Sequence, residues 1–480
     1  YIHRPYTAFI SSNSANLSKM LLSETERVTK HSLSPMLEMV ADGVIAAAIT
    51  LVLIYAQPTM ALSVAGCLGM SYGLMMVVSR GWLRRRGEDQ LKSNQERFEA
   101  ASELFGGIKE IKLLGCGGLY LDRFSRAWSR FISHEAGSSL LATMPKYAVE
   151  TVAFGAVFVV TLFMIREPAA LAEALPVLGL FAMTARRLLP AVQRVYRAIT
   201  VIRFSMPAVR ELKREWDDSL RSAEPPPPGP RAAIPFARTI ILENLCFRYP
   251  GAERLALDHV SLTIERGQRI AFVGATGSGK TTTADVILGL LPATAGDLRV
   301  DDQIIGAGNM HDWQSMLGYV PQHIFLADDS IRRNIAFGVA PDDIDDHLVE
   351  QAARIANLHD FITQELPGGY QSMVGERGVR LSGGQRQRIG IARAVYRQPR
   401  VLVFDEATSA LDNVTERQVM EALRNLQGQE TVIMIAHRLN TVRDCDIIFL
   451  FDKGKVIASG TYDQLVETNT RFRKMAGHPA

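Results

Sequence analysis

The stretch Gly274-Ala275-Thr276-Gly277-Ser278-Gly279-Lys280-Thr281 puts three glycines, a lysine and a hydroxyl residue at a spacing suited to holding phosphate. Glycines let successive backbone N–H groups turn toward one anion, and a helix starting there adds the positive end of its dipole. Lys280 brings a full charge to the β- and γ-phosphates of a nucleotide. Thr281 is placed to ligate magnesium, and Thr282 belongs to the same cradle. A plain glycine turn between strand and helix is the alternative, with a weight of about one in fifty. The residues downstream remove it.

Tyr249 closes an apolar strand that begins at Ile240 and is placed for stacking on an adenine ring. Gln322, after the strand ending in Tyr319-Val320, can reach a magnesium ion and the attacking water. Ser382-Gly383-Gly384-Gln385 precedes a helical run to Arg397 and reads as a second anion site. A plain cap would need Ser382 alone, so the two glycines argue for close backbone approach. Val401 to Phe404 is a buried strand ending in two carboxylates. Asp405 is expected to hold hydrated magnesium, and Glu406 to polarise water for in-line attack on the γ-phosphate. Ser409-Ala410-Leu411-Asp412 follows directly, and His437 ends the apolar strand Thr431 to Ala436, where it can contact the γ-phosphate.

These residues need a parallel α/β scaffold. Arg269 to Val273 reads as the strand entering the phosphate loop, and Thr281 to Leu291 as the helix leaving it. Such a pattern fills 239–480. The first 222 residues differ, carrying four apolar segments at about 36–56, 60–79, 147–165 and 172–189, each near the ~20 residues that cross a membrane. The proline run Ala223-Glu224-Pro225-Pro226-Pro227-Pro228-Gly229-Pro230 suits a linker, 223–238. Residues 80–146 hold twelve Lys and Arg, against a single Arg in the two short turns. By the positive-inside rule 80–146 is cytoplasmic, together with 1–35 and the soluble domain. Asp42, Glu150, Arg186, Arg187 and Arg194 lie in or at the ends of the spans. They read either as contacts for a charged cargo or as helix-end and paired groups.

Among 480 residues, a net charge of +3 gives no case for nucleic acid. The four cysteines, Cys67, Cys116, Cys246 and Cys445, are scattered without metal spacing and read as small buried apolar residues. The chain begins with Tyr1 and reads as the later part of a longer one.

With its motifs in this order, the chain resembles the ATP-binding-cassette exporters. The resemblance implies a multi-domain protein, an all-α transmembrane domain (four of the family's six helices) followed by an α/β P-loop nucleotide-binding domain. It implies an ATPase using ATP and Mg²⁺, with Tyr249 on adenine, Gln322 on magnesium, and Asp412 and His437 at the nucleotide. It further implies a head-to-tail pair of half-transporters, taken as a homodimer, in which Ser382–Gln385 of one chain completes the site of the other. Gly375-Glu376-Arg377-Gly378 looks like the loop of the exporter branch.

Four stretches are similar to the lipid-linked oligosaccharide flippases of bacterial N-glycosylation: Tyr1 to Ile10, Asn13 to Glu24, Glu103 to Leu114 and Arg187-Leu188-Leu189-Pro190. They imply a multi-pass protein of the inner membrane, amid membrane lipids, that moves a polyprenyl-pyrophosphate saccharide. The alternatives are another amphiphile (a lipopolysaccharide precursor, a peptide or a drug) and, in a different class, a soluble ATPase of DNA repair or translation.

Overall fold

The computed structural model describes every residue except 11, 57, 165–167, 223–233, 376–377, 407–413, 415, 417, 419–429, 437–438 and 478–480. The chain divides into two compact units, one made of Tyr1–Arg4 and Ala8–Ala223 and the other of Pro5–Thr7 and Glu224–Ala480.

The first unit is helical. Three short helices, α1 (Tyr6–Ile10), α2 (Ser14–Ser18) and α3 (Thr25–Val28), lead through π-helical turns at Lys19–Glu24 and Thr29–Leu33 into α4 (Ser34–Ala56). Then follow α5 (Pro58–Gly106), α6 (Ile108–Leu114), α7 (Gly117–Met164) and α8 (Pro168–Ser222). Among the described residues one helix, Ser14–Ala56, is long and apolar enough to cross a membrane, with a mean hydropathy of 2.2 over 18 of its residues. The other three expected spans begin or end inside α5, α7 and α8. Apolar sequence stops where the expected span stops, whereas the helix continues. α5 has 49 residues, about 74 Å at ~1.5 Å per residue.

Beyond the spans these helices pack on one another through small and polar groups. A Cβ on Gly87 of α5 would run into the Phe204 carbonyl of α8, so the two helices cross in close contact there. Residues 1–35 are not simply the water-facing entry that their polarity suggests. Lys19, Met20 and Glu24 are buried, and Glu24 accepts a hydrogen bond from Asn94 of α5 at 2.6 Å. Glu24 can be interior because it is paired, with Asn94 across the helices and with Arg27 at 3.6 Å on its own segment.

The second unit holds two sheets. A four-stranded antiparallel sheet has the order β2-β1-β4-β5, from β1 (Thr239–Phe247), β2 (Leu257–Glu265), β4 (Ala295–Val300) and β5 (Gln303–Ile304). A six-stranded sheet has the order β10-β9-β3-β8-β7-β6, from β3 (Arg269–Gly274), β6 (Leu317–Val320), β7 (Val401–Asp405), β8 (Thr431–Ile435), β9 (Ile447–Asp452) and β10 (Lys455–Gly460). All but the antiparallel edge strand β10 run parallel.

Every residue of β7 and β8 is buried, the signature of strands covered on both faces. One core lies on each side. Phe272, Val403 and Ile433 point into the first, with Trp313; Ala271, Leu402 and Met434 point into the second, with Ile391. The helices of this unit include α9 (Lys280–Ile287), α10 (Met310–Gln314), α11 (Ile331–Ile335), α12 (Asp346–Ile355) and α13 (Gly383–Tyr396).

α9 stops at Ile287, short of the expected Leu291, because Gly289 takes a left-handed φ of 68° with Met310 packed against its α-carbon. Ile234 and Phe236, inside the stretch expected as linker, are buried in the core of the second unit; 223–233 lies outside the described residues. Cys246 and Cys445 are buried as expected, while Cys116 is half-buried.

Candidate functional site: a nucleotide cleft at the ends of parallel strands

The parallel strands β3 and β7 both end at one edge of the sheet, and their C-terminal loops carry the chemistry. After β3 the loop turns on glycine. Gly274 has φ 154°, and a Cβ there would meet the Phe451 carbonyl; Gly279, at φ 106°, caps α9, and a Cβ there would come within 3.0 Å of Leu257 and 3.1 Å of the Ala256 carbonyl. Neither place admits a larger residue. Ala275, Thr276 and Gly277 are exposed on the loop, Ser278 is buried, and its Oγ has no hydrogen-bond partner among the described residues.

Lys280 is buried and its ammonium donates to the carbonyls of Gly274 at 2.8 Å and Ala275 at 3.0 Å. Burial pushes its pKa down, and the negative charges of Glu406 and Asp405 hold it up. Thr281 is exposed beside it, whereas Thr282 is buried and shares a hydrogen bond with the Tyr249 hydroxyl at 3.2 Å. Tyr249 also packs edge-on against Phe247, with centroids 4.9 Å apart, which fixes its ring at the rim.

Across the cleft Gln322 donates from Nε2 to Glu406 Oε2 at 2.9 Å. Asp405 is buried at the last position of β7, and Glu406, the next residue, has φ 50°. That left-handed backbone costs a non-glycine residue about 1 kcal/mol or more, a strain that clusters at functional positions. The cleft so bounded has a volume of about 840 Å³, and Tyr249, Lys280, Thr281, Gln322 and Glu406 all line it. The oxygens of Thr281, Asp405 and Gln322 make a hard donor set, the chemistry a magnesium ion prefers.

Sequence reasoning passed over three residues here. Arg254 and Lys453 line the same cleft. Asp285, on α9, is pushed up to about 6 by burial and by the neighbouring charge of Asp405. Only its place between the apolar Ala284 and Val286, both buried, hints that it is interior.

Ser382–Gln385 is not brought into this cleft. Ser382 caps α13, accepting from the Gln385 N–H at 3.2 Å, while Gln385 Oε1 accepts from the Ser382 N–H at 2.8 Å. This reciprocal box corrects the reading that a cap alone would need only the serine. Gly383 and Gly384 keep φ below zero, with Gly383 exposed and Gly384 half-buried. Asp412 and His437, together with Ser409–Leu411, Glu376 and Arg377, lie outside the described residues. In the helical unit Arg194 is not a free cation. It grips Asp42 with two hydrogen bonds of 2.7 Å, while Arg186 and Arg187 are exposed.

A glycine-cradled lysine, two strand-end carboxylates and a long-helix unit on the same chain define a membrane transporter driven by nucleotide hydrolysis. The family model described as ABC transporter matches residues 257–409. An ATP-dependent lipid A-core flippase of Saccharophagus degradans is 32% identical over 473 residues, covering 97% of this chain and 78% of that one. Its counterpart in Cupriavidus metallidurans is 30% identical over 479 residues, covering 98% and 78%. Among solved structures, a bacterial Atm1-family ABC exporter with ATP bound superposes with a TM-score of 0.83 at 24% identity, covering 99% of this chain and 82% of that one. The chain belongs to the ABC transporter family, has the ABC exporter fold, and hydrolyses ATP.

Proposed function

We propose that this half-transporter moves an amphiphile with a glycosylated, anionic head across the membrane, using ATP. Similarity along 97–98% of the chain to lipid A-core flippases carries this reading, because it includes the helical unit where cargo is selected. It shifts the favoured cargo from a polyprenyl-pyrophosphate saccharide to a glycolipid of the lipid A-core type. The exposed Arg186 and Arg187 are the cations we assign to its phosphates; Arg194 is occupied by Asp42.

In this mechanism Lys280 and the N–H groups of the loop hold the β- and γ-phosphates, and Tyr249 stacks on adenine. Thr281, Asp405 and Gln322 would hold magnesium, which supplies charge neutralisation on the phosphates. Glu406 takes the proton of the attacking water, oriented by its hydrogen bond from Gln322. His437 and Asp412 are assigned to the γ-phosphate side by resemblance. A second copy of the chain, most simply an identical one, supplies Ser382–Gln385 to the far side of the nucleotide. ATP then closes the pair, and hydrolysis reopens it. The twelve basic residues of 80–146 support the reading that the nucleotide-binding unit is cytoplasmic, and we assign the inner membrane as the one spanned.

The experiment reconstitutes the chain in liposomes and follows ATP-dependent flipping of fluorescent lipid A-core and polyprenyl-pyrophosphate saccharide, with Glu406→Gln as control. Transport of the first alone supports the proposal. Transport of the second alone restores the oligosaccharide reading, and ATP hydrolysis without either overturns both cargoes.

A further inference from the structure

One face of α5 carries an apolar stripe that runs straight into a group of arginines. Met70, Leu74, Val77 and Val78 recur at helical spacing and are 66–76% exposed. One heptad on from Val77 and Val78 come Arg84 and Arg85, both exposed, and Arg80 stands one turn before Arg84. From Met70 to Val78 the stripe is about 12 Å long, close to the ~15 Å depth of hydrocarbon in one leaflet.

The arginines are set at a fixed height. Arg86 stacks on Trp82, 4.2 Å from the ring centroid, and donates to the Ser133 carbonyl of α7 at 3.3 Å. Both side chains pack on Gly137 of α7, where a Cβ would come within 2.6 Å of Arg86 Nη1 and 3.1 Å of Trp82. An anchored tryptophan beside this contact marks the level where lipid headgroups begin. Arg84 pairs with Glu88 at 3.0 Å; Arg80 and Arg85 make no ion pair with any described residue.

We propose that this face holds one acidic phospholipid, its phosphate on Arg80, Arg84 and Arg85 and an acyl chain along the stripe above them. The guanidinium fork matches phosphate oxygens in pairs, and it does so where water is scarce. The lipid is a resident, distinct from the cargo, and the inference rests on family membership and not on the cargo proposed above. Each arginine near the headgroup is worth about a fivefold gain in affinity.

The test uses the full chain in nanodiscs of phosphatidylcholine with and without phosphatidylglycerol, in the absence of ATP and of any cargo lipid. Phosphatidylglycerol raises the parent Tm by about 2–4 °C, and mass spectrometry finds it retained after purification. Arg80→Gln with Arg85→Gln loses most of the rise and the retained lipid, and the Arg→Lys pair keeps at least half. A Gln pair that responds like the parent would overturn the site. So would a Gln pair that melts early in phosphatidylcholine alone, since these arginines would then be structural. A parent that ignores phosphatidylglycerol but melts higher at higher protein concentration would give this face to a second copy of the chain.

Discussion

The side-chain amide of Gln322 donates to Glu406 at 2.9 Å, joining the loop after β6 to the residue after β7. The bond fixes the carboxylate plane, so Glu406 meets a water in a set direction. It also leaves the Gln322 carbonyl oxygen available as a hard ligand. Glu406→Gln is expected to lower ATP turnover at least ~100-fold while ATP binding persists. Gln322→Ala, which removes positioning and not the base, is expected to cost about tenfold in kcat. Phosphate release beside equilibrium binding of a fluorescent ATP analogue separates the two. A Glu406→Gln protein with native turnover would remove this residue from the proton-accepting role.

Asp42 and Arg194 tie α4 to α8 through a two-pronged contact, with the Asp42 side chain only 9% exposed. Removing Arg194 strands a nearly buried carboxylate, whereas replacing both partners by leucine leaves no orphan. Arg194→Ala is therefore expected to destabilise by about 2 kcal/mol and the double leucine variant by less. Arg194→Lys should fail to restore stability, since an ammonium cannot fill both prongs. Thermal unfolding in detergent across the double-mutant cycle reads this, with an expected coupling of about 1–2 kcal/mol. Additive effects would show that the pair contributes nothing.

Asp285 gives a pH dependence of definite sign. Its pKa is pushed from the ordinary 3.8 up to about 6, so the folded unit binds this proton more tightly than the unfolded chain does. The stabilisation is complete below pH ~4 and is lost as pH rises through ~6. The full displacement converts to about 3 kcal/mol, and partial exposure reduces it to about 1–2. Asp285→Asn should accordingly melt higher than the parent at pH 7.5, with the gap closing by pH 4. A gap of the same size at both pH values would assign the effect to something other than this proton.

The phosphate loop was legible because its chemistry is local: eight consecutive residues, a strand before them and a helix after. The buried strands β3, β7 and β8 were legible for a related reason, since parallel strands covered on both faces leave unbroken apolar runs. Contacts distant in sequence left no such mark. Nothing near Asp42 announces a partner 152 positions away, and nothing near Lys19 or Glu24 announces burial. Helix length was missed because apolarity reports the solvent, lipid or water, while the backbone hydrogen bonds of α5 and α7 continue through both. The box at Ser382 was in the sequence all along, since Ser-x-x-Gln is the spacing of a reciprocal cap. The two glycines between drew attention toward phosphate instead.

Ser382 therefore carries two assignments, a cap within its own chain and a phosphate contact to a second chain, and one substitution can separate them. Aspartate caps helices as well as serine does, so Ser382→Asp should leave the Tm within about 1–2 °C of the parent. The same change places a negative charge where the second chain's triphosphate would lie. ATP turnover is expected to fall at least ~100-fold, with ATP binding to the loop at Lys280 little altered. Ser382→Ala should do the reverse, costing about 1 kcal/mol of helix stability with a smaller loss of turnover. Steady-state hydrolysis, nucleotide binding and thermal unfolding on the same preparations decide it. Undiminished turnover in Ser382→Asp would leave Ser382 a cap alone and remove the main support for a nucleotide shared between two chains.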